Sequence, residues 1–332
     1  MIISKTPFRI SFFGGGTDYP AWFKEHGGQV LVTAIDKYCY ISCRVLPPFF
    51  EHKHRIVYSK IENAKDIDDI GHPAVRAVLQ TFNVEHGLEI HHDGDLPARS
   101  GLGSSSAFTV GLINAMHALR GEYRSSSQLA EEAIHIEQTV LRENVGVQDQ
   151  ISTAFGGFNR IKLNPNGKYE IIPCILPPDR LHTLQNHLML FFTGVSRFSS
   201  EIVKGQLENL KNRKAELHAI SQMVEEALNI LLSSKMQLEE FGLLLGEAWE
   251  RKRQLSDSVS NAMLDEIYNS ARSAGAIGGK LLGAGGGGFF LFVVSPERQN
   301  EVRQKLAKLT EVPFGFEAEG TKIVLYNPNG FK

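Results

Sequence analysis

The stretch PARSGLGSSSA, residues 97–107, decides how the rest of the chain is interpreted. It follows a strand-like run and opens an apolar segment, 104–119, that predicts a buried helix. Gly101 and Gly103 let a ligand approach the backbone closely, and the serines begin the helix. Free N–H groups and the positive end of the helix dipole favour a phosphate group at this position. The alternative is a glycine turn with a serine N-cap.

Two further glycine-rich segments lie near the ends of the chain. TPFRISFFGGGTDYP at 6–20 is a strand that contains a cation and runs into three glycines, and its alternative interpretation is a hairpin turn. GGKLLGAGGGGFFLFV at 278–293 is alternatively a tight corner between strands where side chains do not fit. The middle stretch 97–107 is not a Walker A motif, because no G-K-[ST] follows it.

Composition excludes several classes of protein. A length of 332 residues favours two packed domains, and a formal net charge of -2 gives no broad positive field for nucleic acid. Three cysteines without a C-x-x-C pair predict no disulfide framework and no zinc site. The chain shows neither a signal peptide nor an apolar run long enough to span a membrane, so a cytoplasmic protein is expected.

Hydrophobic periodicity outlines the secondary structure. The domain boundary is expected in the proline-containing connector at 173–180, which gives one domain at 1–178 and another at 179–332. Strands are predicted at 2–13, 28–46, 55–59, 87–92, 157–162, 168–172, 188–194, 287–295 and 321–326. Helices are predicted at 104–119, from the SSSQ capping box to about Asn144, and at 200–232, 237–254, 261–274 and 296–309.

The three glycine segments together resemble the signature motifs of the GHMP kinases, the superfamily of galactokinase, homoserine kinase and mevalonate kinase. The resemblance extends over essentially the whole chain. It implies an α+β fold of two domains, the first like domain 2 of ribosomal protein S5 and the second ferredoxin-like. It also implies ATP and Mg²⁺ as cofactors. The stretches FRISFFGGGTD, LPARSGLGSSSAFTVGLINA and TGVSRFSSEI are most similar to the kinases of heptose 7-phosphate within that superfamily.

The resemblance assigns the nucleotide and the metal to the middle of the chain. Ser105 matches the serine that binds magnesium, and Glu137 matches the metal-binding glutamate of the following helix. An exposed helical carboxylate is the alternative for Glu137. The segment implied to wrap the triphosphate consists of Arg99, Ser100, Gly101, Leu102, Gly103, Ser104, Ser105 and Ser106.

The resemblance also assigns a catalytic pair. ENVGVQDQISTAFGG at 143–157 resembles the galactokinase-type stretch with the catalytic base, which corresponds to Asp149. Arg9 matches the arginine that pairs with this aspartate and faces the transferred phosphoryl group. A cation there would keep the carboxylate ionised and offset charge that develops in the transition state.

The remaining assignments concern the acceptor. Thr17 and Asp18 match contacts to the acceptor hydroxyl, with turn chemistry as the alternative. Arg197 and Ser199 begin a predicted helix that suits the phosphate of a sugar, with Arg99 as a competing candidate. The other glycines implied to line the acceptor site are Gly15, Gly16, Gly285 and Gly286.

The sequence therefore predicts a kinase whose partners are ATP and a small-molecule sugar phosphate, without nucleic acid or membrane. The resemblance implies the anomeric hydroxyl of heptose 7-phosphate as the acceptor, and it allows a homodimer. The alternatives are a GHMP kinase for L-fucose or another acceptor, and a non-catalytic sensor of sugar and ATP on the same fold. GGGTD replaces the G-E-H-T-D of galactokinase, which argues against galactose.

Overall fold

The computed structural model describes residues 1–195, 205, 213–233 and 235–328. Its strands are, in chain order, β1 (Ile2–Phe13), β2 (Gly28–Val45), β3 (His54–Val57), β4 (Ile61–Ala64), β5 (Leu88–Gly94), β6 (Phe158–Leu163), β7 (Tyr169–Pro173), β8 (Leu188–Phe192), β9 (Gly278–Leu281), β10 (Phe289–Val293), β11 (Thr310–Glu311), β12 (Phe316–Glu317) and β13 (Lys322–Tyr326). Its helices are α1 (Pro20–His26), α2 (Pro73–Thr81), α3 (Ser104–Leu119), α4 (Ser126–His135), α5 (Gln148–Phe155), α6 (Pro178–Asn186), α7 (Lys214–Leu232), α8 (Leu238–Arg253), α9 (Ala262–Ser273) and α10 (Gln299–Lys305).

The first sheet is built around the long antiparallel pair β1 and β2. Its main path runs β13-β1-β2-β5-β3-β4, and β6, β7 and β12 join it through β2. Only the β3–β5 pair is parallel among the described strand pairs of this sheet. Mostly antiparallel sheets with separate helices confirm the predicted α+β class.

The second sheet has the order β11-β8-β10-β9 and is antiparallel throughout. Its central strand β10 is completely buried, as the run FFLFV predicts. The division of the chain into domains at residue 178 stays a prediction. That division did not anticipate how the last two strands pair. Because β12 pairs with β2 and β13 pairs with β1, the C-terminal strands belong to the first sheet.

Helix α3 has the predicted bounds and is buried on nearly every side, since its sequence carries apolar residues around the whole circumference. Helix α4 starts with the predicted capping box of Ser125 and Gln128. The helical path then widens into a π-helical turn at Ile136–Val140 and stops there, so the predicted extension to about Asn144 is wrong. A π turn of this kind is common at functional sites.

Other differences from the predicted elements have local causes. Helix α6 lies in the proline-containing connector because Pro178 occupies its first turn, where a missing N–H costs nothing. The predicted helix at 200–232 is described as α7 from Lys214, and most of its earlier part lies outside the described residues. Helix 296–309 is shorter, as a 3₁₀ turn at Pro296–Arg298 followed by α10. No described helix has the length and apolar character that a bilayer crossing requires.

A single large hydrophobic cluster connects both sheets. Phe12 and Phe13, at the end of β1, pack their rings 5.6 and 5.2 Å from that of Phe241 on α8. Cys39 and Cys43 are buried in β2 as expected for small hydrophobic residues. The packing therefore holds the end of β1, and the glycines after it, against the second half of the chain.

Candidate active site

A buried ion pair joins the first strand to the start of α5. Arg9 Nε lies 2.7 Å from Asp149 Oδ1, and Arg9 Nη2 lies 2.8 Å from Asp149 Oδ2. The Arg9 side chain is only 4% exposed, whereas 28% of the Asp149 side chain remains accessible. This bidentate geometry fixes the carboxylate and leaves one side of it open to a ligand. The predicted catalytic residues thus lie together, although they are 140 positions apart.

The glycine loop of the middle stretch packs directly against this pair. Arg9 Nη1 donates to the Gly101 carbonyl at 2.6 Å, and the Arg9 backbone N–H donates to the Leu102 carbonyl at 3.0 Å. Gly103 has φ of +73°, and a Cβ there would lie 3.1 Å from Arg9 Cγ. The loop can therefore come this close to the arginine only because the position has no side chain.

The first turn of α3 opens at this loop with Gly103 as its N-cap and no side-chain cap. Ser104 Oγ accepts from the backbone N–H of Arg99 at 3.0 Å, and Ser100 Oγ donates to the Pro97 carbonyl at 2.7 Å, so both serines shape the loop. Ser105 is exposed. A 16-residue helix without a side-chain cap, preceded by a glycine-containing turn, has the arrangement that binds phosphate groups.

Glu137 lies in the π-helical turn and is 1% exposed, so the interpretation as an exposed helical carboxylate is wrong. Its Oε2 accepts from Ser106 Oγ at 2.9 Å and from Gln150 Nε2, while its Oε1 is buried with no hydrogen-bond partner among the described residues. Burial raises the pKa of Glu137 to about 7. The neighbouring hydroxyl is that of Ser106, one residue beyond the predicted Ser105.

Asp18 lies against the segment that leads to Asp149. Its Oδ1 accepts from the Gly16 N–H at 3.0 Å, and a Cβ at Gly146 would lie 1.8 Å from its Oδ2. Burial, followed by the negative charge of Asp149, raises the pKa of Asp18 to about 6. Burial and the same two carboxylates also raise the pKa of Tyr19. Asp18 and Tyr19 thus share one electrostatic environment with the Arg9–Asp149 pair.

Thr17 does not face this site. It is completely buried, and its hydroxyl donates to the Gly14 and Gln29 carbonyls at 2.8 and 3.0 Å. It also accepts from the Gln29 N–H. Its single O–H is shared between these two carbonyls, so the donor is engaged within the turn, and the structure favours the turn-chemistry interpretation over an acceptor contact.

The predicted glycines divide into two groups. Gly15 lies near Gln148, and Gly16 (φ +102°) packs near Leu217, so both belong to the turn before Asp18. Gly285 and Gly286 are buried against Val259 and line no open surface, contrary to expectation. The contacts with the middle loop come from the two ends of the C-terminal glycine run, Gly283 against Gly101 and Gly288 against Ser100.

Two lysines that sequence reasoning missed lie behind these loops. Lys280 on β9 donates to the Phe12 carbonyl at 2.8 Å, and Lys252 on α8 donates to the Leu281 carbonyl at 2.9 Å. Nothing in their spacing distinguishes them from surface lysines.

Arg197 and Ser199, the predicted sugar-phosphate contacts, lie outside the described residues. No cluster of three or more metal-binding side chains occurs in the described part of the chain.

Comparison with known proteins agrees with this arrangement. The model of the GHMP kinase N-terminal domain matches residues 70–157, and that of the GHMP kinase C-terminal domain matches residues 207–311. D-glycero-alpha-D-manno-heptose 7-phosphate kinase of Campylobacter jejuni is 30% identical over 97% of this chain and 98% of its own length. The chain belongs to the GHMP kinases.

Other members of this family are similar over comparable lengths. Mevalonate kinase of Pyrococcus abyssi is also 30% identical, over 97% of this GHMP kinase and 98% of the relative. The crystal structure of a D-glycero-D-manno-heptose 1-phosphate kinase from Bacteroides thetaiotaomicron superimposes with a TM-score of 0.79 at 26% identity, and covers 97% of this chain and 98% of that chain. The predicted two-domain GHMP kinase fold is therefore confirmed.

Proposed function

We propose that this GHMP kinase transfers the γ-phosphoryl group of ATP to a sugar phosphate. The specific acceptor is the anomeric hydroxyl of D-glycero-α-D-manno-heptose 7-phosphate, which yields the 1,7-bisphosphate for nucleotide-activated heptose and surface polysaccharide. The observation that carries the proposal is the Arg9–Asp149 pair held against the Gly101–Gly103 loop. The backbone of this loop, which suits a phosphate group, therefore lies beside the oriented carboxylate of Asp149.

The reaction needs no covalent enzyme intermediate. The acceptor oxygen forms a bond to the γ-phosphorus, the bond from that phosphorus to the ADP oxygen breaks, and the acceptor proton passes to Asp149. The accessible side of Asp149 faces the acceptor, while Arg9 keeps the carboxylate in position and stabilises negative charge on the transferred group. Positioning and electrostatics thus supply the catalysis.

The donor set fits magnesium. Glu137 has a buried carboxylate oxygen without a hydrogen-bond partner among the described residues, and the Ser106 hydroxyl of the α3 first turn lies beside it. One carboxylate and one hydroxyl suffice, because Mg²⁺ keeps several waters and takes further ligands from phosphates. When bound, it would neutralise charge on the phosphate oxygens. Glu137 would hold it together with Ser105 or Ser106, of which Ser106 lies in hydrogen-bond contact.

Two observations support a sugar phosphate. The names of the Campylobacter and Bacteroides relatives both specify a heptose phosphate as substrate. Asp18 and Tyr19 add a polar wall beside Asp149 that suits a polyhydroxylated acceptor. Arg197, Ser199 and Arg99 stay candidates for the distal phosphate. Cytoplasmic location and a homodimer stay predictions, and sedimentation velocity tests the latter.

Measurement of ADP release over a panel of acceptors tests the function. The panel contains heptose 7-phosphate, heptose 1-phosphate, unphosphorylated heptose, L-fucose and mevalonate. We expect the highest kcat/KM for heptose 7-phosphate. A higher kcat/KM for L-fucose, mevalonate or unphosphorylated heptose would remove the sugar-phosphate claim, and a preference for heptose 1-phosphate would move the acceptor hydroxyl away from the anomeric carbon.

A catalytically silent sensor of sugar and ATP is the alternative from another class. A sensor has no need for a proton acceptor, so the ordered Arg9–Asp149 pair favours an enzyme. Nucleotide binding without turnover on any acceptor of the panel would establish the sensor instead.

A further inference from the structure

Lys252 and Lys280 both donate from their ammonium groups to backbone carbonyls, Lys280 from a buried side chain and Lys252 from a partly buried one. Lys280 is 6% exposed, and its Nζ donates to the Phe12 carbonyl. Lys252 Nζ donates to the Leu281 and Gly283 carbonyls. Within the described residues neither lysine forms an ion pair with a carboxylate. Carbonyl oxygens are thus the acceptors for both cations.

Such an arrangement is costly without a counter-charge. A buried ammonium loses its hydration, and carbonyl dipoles compensate only part of that loss. Burial and then the nearby charge of Arg9 lower the pKa of Lys280 to about 7. Burial, followed by the charges of Lys280 and Arg9, also lowers the pKa of Lys252. Three cationic side chains, Arg9, Lys252 and Lys280, therefore lie near one another, and among the described residues Asp149 is the only carboxylate that forms an ion pair with any of them.

The carbonyls that these lysines bind connect them to the catalytic pair. Gly283 packs backbone to backbone against Gly101, since a Cβ at Gly283 would lie 2.4 Å from Gly101 Cα. The Gly101 carbonyl in turn accepts from Arg9 Nη1 at 2.6 Å. Phe12, held by Lys280, lies three residues after Arg9 on β1. Lys252 therefore fixes the loop behind Gly101, and Lys280 fixes the strand that carries Arg9.

We propose that Lys252 and Lys280 are positioning residues that hold the Gly283 loop and strand β1 against the Arg9–Asp149 pair, with the phosphates of bound nucleotide as the counter-charge for their ammonium groups. This inference rests on the proposed function. The charged groups around Lys280 are Arg9 from β1 and Lys252 from α8, and Asp149 from α5 lies beyond Arg9. Negative phosphates favour the charged form of both lysines. Nucleotide binding must therefore be accompanied by proton uptake.

The test measures proton uptake and turnover separately. Titration calorimetry of MgADP at pH 8, in buffers of different ionisation enthalpy, gives the protons bound per nucleotide. For the wild-type protein we expect net uptake, up to about one proton from Lys280. K280M should lose the share of this uptake that Lys280 contributes and lower kcat at least ~10-fold, because a small displacement of a catalytic pair is enough for such a loss. The exposed Lys308 supplies the matched control K308M, which should behave as wild type.

Several outcomes would overturn the proposal. The proposal is wrong if the wild-type protein binds MgADP without proton uptake, and this measurement does not depend on how any variant folds. It is also wrong if K280M shows normal proton uptake and normal kcat at an unchanged melting temperature. A loss of kcat in K280M with full proton uptake would reduce Lys280 to an ordinary packing residue. Failure of the proposed function would give a different result. The wild-type protein would then turn over none of the acceptors, whereas the number of protons taken up with MgADP could still be measured.

Discussion

At the scale of single residues, Glu137 shows how the fold changes the chemistry of a side chain. The carboxyl group is buried, and its pKa rises from 4.5 to about 7. An acid with a raised pKa stabilises the folded state below the unfolded value, and this stability is lost as the pH rises through the folded value. At about 1.4 kcal/mol for each pH unit, ionisation of Glu137 costs the metal-free protein up to about 3 kcal/mol.

E137Q removes this cost. In EDTA at pH 8 we expect a free energy of unfolding up to about 3 kcal/mol above wild type, with little difference near pH 4. Urea denaturation at the two pH values measures this free energy, and E266Q at an exposed position is the control. E137Q should also need more Mg²⁺ for half-maximal turnover, because a neutral amide is a weaker ligand. An equal pH dependence of stability in E137Q and wild type would contradict the burial argument.

Asp149 provides the second prediction at this scale. D149N keeps the size of the side chain and removes its ability to accept a proton. We expect kcat to fall at least ~10²-fold, the usual scale for a positioned base. The Kd of MgADP should stay near the wild-type value, since the proposed phosphate contacts come from the backbone of the glycine loop and not from Asp149. Rapid-quench kinetics with heptose 7-phosphate and equilibrium titration measure the two quantities, and near-normal turnover would show that Asp149 is not the base.

At the scale of elements, the glycine loop before α3 depends on close backbone contact. Gly101 has φ of +85°, and a Cβ there would lie 2.5 Å from the Leu282 carbonyl oxygen. Gly167 also has φ of +85°, in the turn between β6 and β7, but has no neighbour within 4 Å of such a Cβ. An alanine at either position would therefore have to adopt the same left-handed φ, whereas the surroundings of the two positions differ.

G101A and G167A separate strain from contact. Both variants pay the left-handed penalty of about 1–2 kcal/mol. We expect G101A to lose additional stability and to raise the KM for ATP by at least ~10-fold, because the loop must move away from Leu282. G167A should keep its KM. Thermal melts and initial rates measure the differences, and similar KM values in the two variants would remove the loop from the nucleotide site.

The elements also show how much the sequence could predict. Runs rich in strand-forming residues between turns located β1 and β2, and the uniformly apolar 104–119 segment located α3. The pairing of β12 and β13 with the first sheet could not be predicted, because strand pairing between distant segments leaves no local pattern. Helix α2 was also missed, although its nine residues carry a distinct buried face of Ala74, Val75, Ala77, Val78 and Leu79 that helical periodicity could have revealed.

The site was predicted to a similar degree. Resemblance brought Arg9 and Asp149 together, and the structure confirms the contact between them. The turn-chemistry alternative for Thr17 is favoured by the structure, because only the folded turn shows that its hydroxyl bonds to the backbone of Gly14 and Gln29. Lys252 and Lys280 could not be found at all, since a lysine is expected at the surface and only the fold shows that these two donate to backbone carbonyls.

At the scale of the whole molecule, one hydrophobic cluster runs from the first sheet to α8. The chain has two tryptophans, Trp22 on α1 beside the first sheet and Trp249 on α8 beside the second. Because Phe241 packs on Phe12 and Phe13 between them, we expect the two halves to unfold together. W249F and W22F leave one fluorescent reporter in each half.

Urea titrations of these two variants test this cooperativity. In each variant the fluorescence midpoint should coincide with the midpoint from far-ultraviolet circular dichroism. A fluorescence transition that precedes the circular dichroism transition in either variant would show that the halves unfold separately, and the glycine loops would then be joined by a weak interface.

The central claim concerns where phosphate and acceptor meet. The most direct measurement is a crystal structure with a non-hydrolysable ATP analogue, Mg²⁺ and heptose 7-phosphate bound together. The account predicts the triphosphate within hydrogen-bond distance of the backbone N–H groups of residues 101–106, and the anomeric hydroxyl about 3 Å from the Asp149 carboxylate. Phosphates bound away from that loop, or an acceptor hydroxyl out of reach of Asp149, would contradict it.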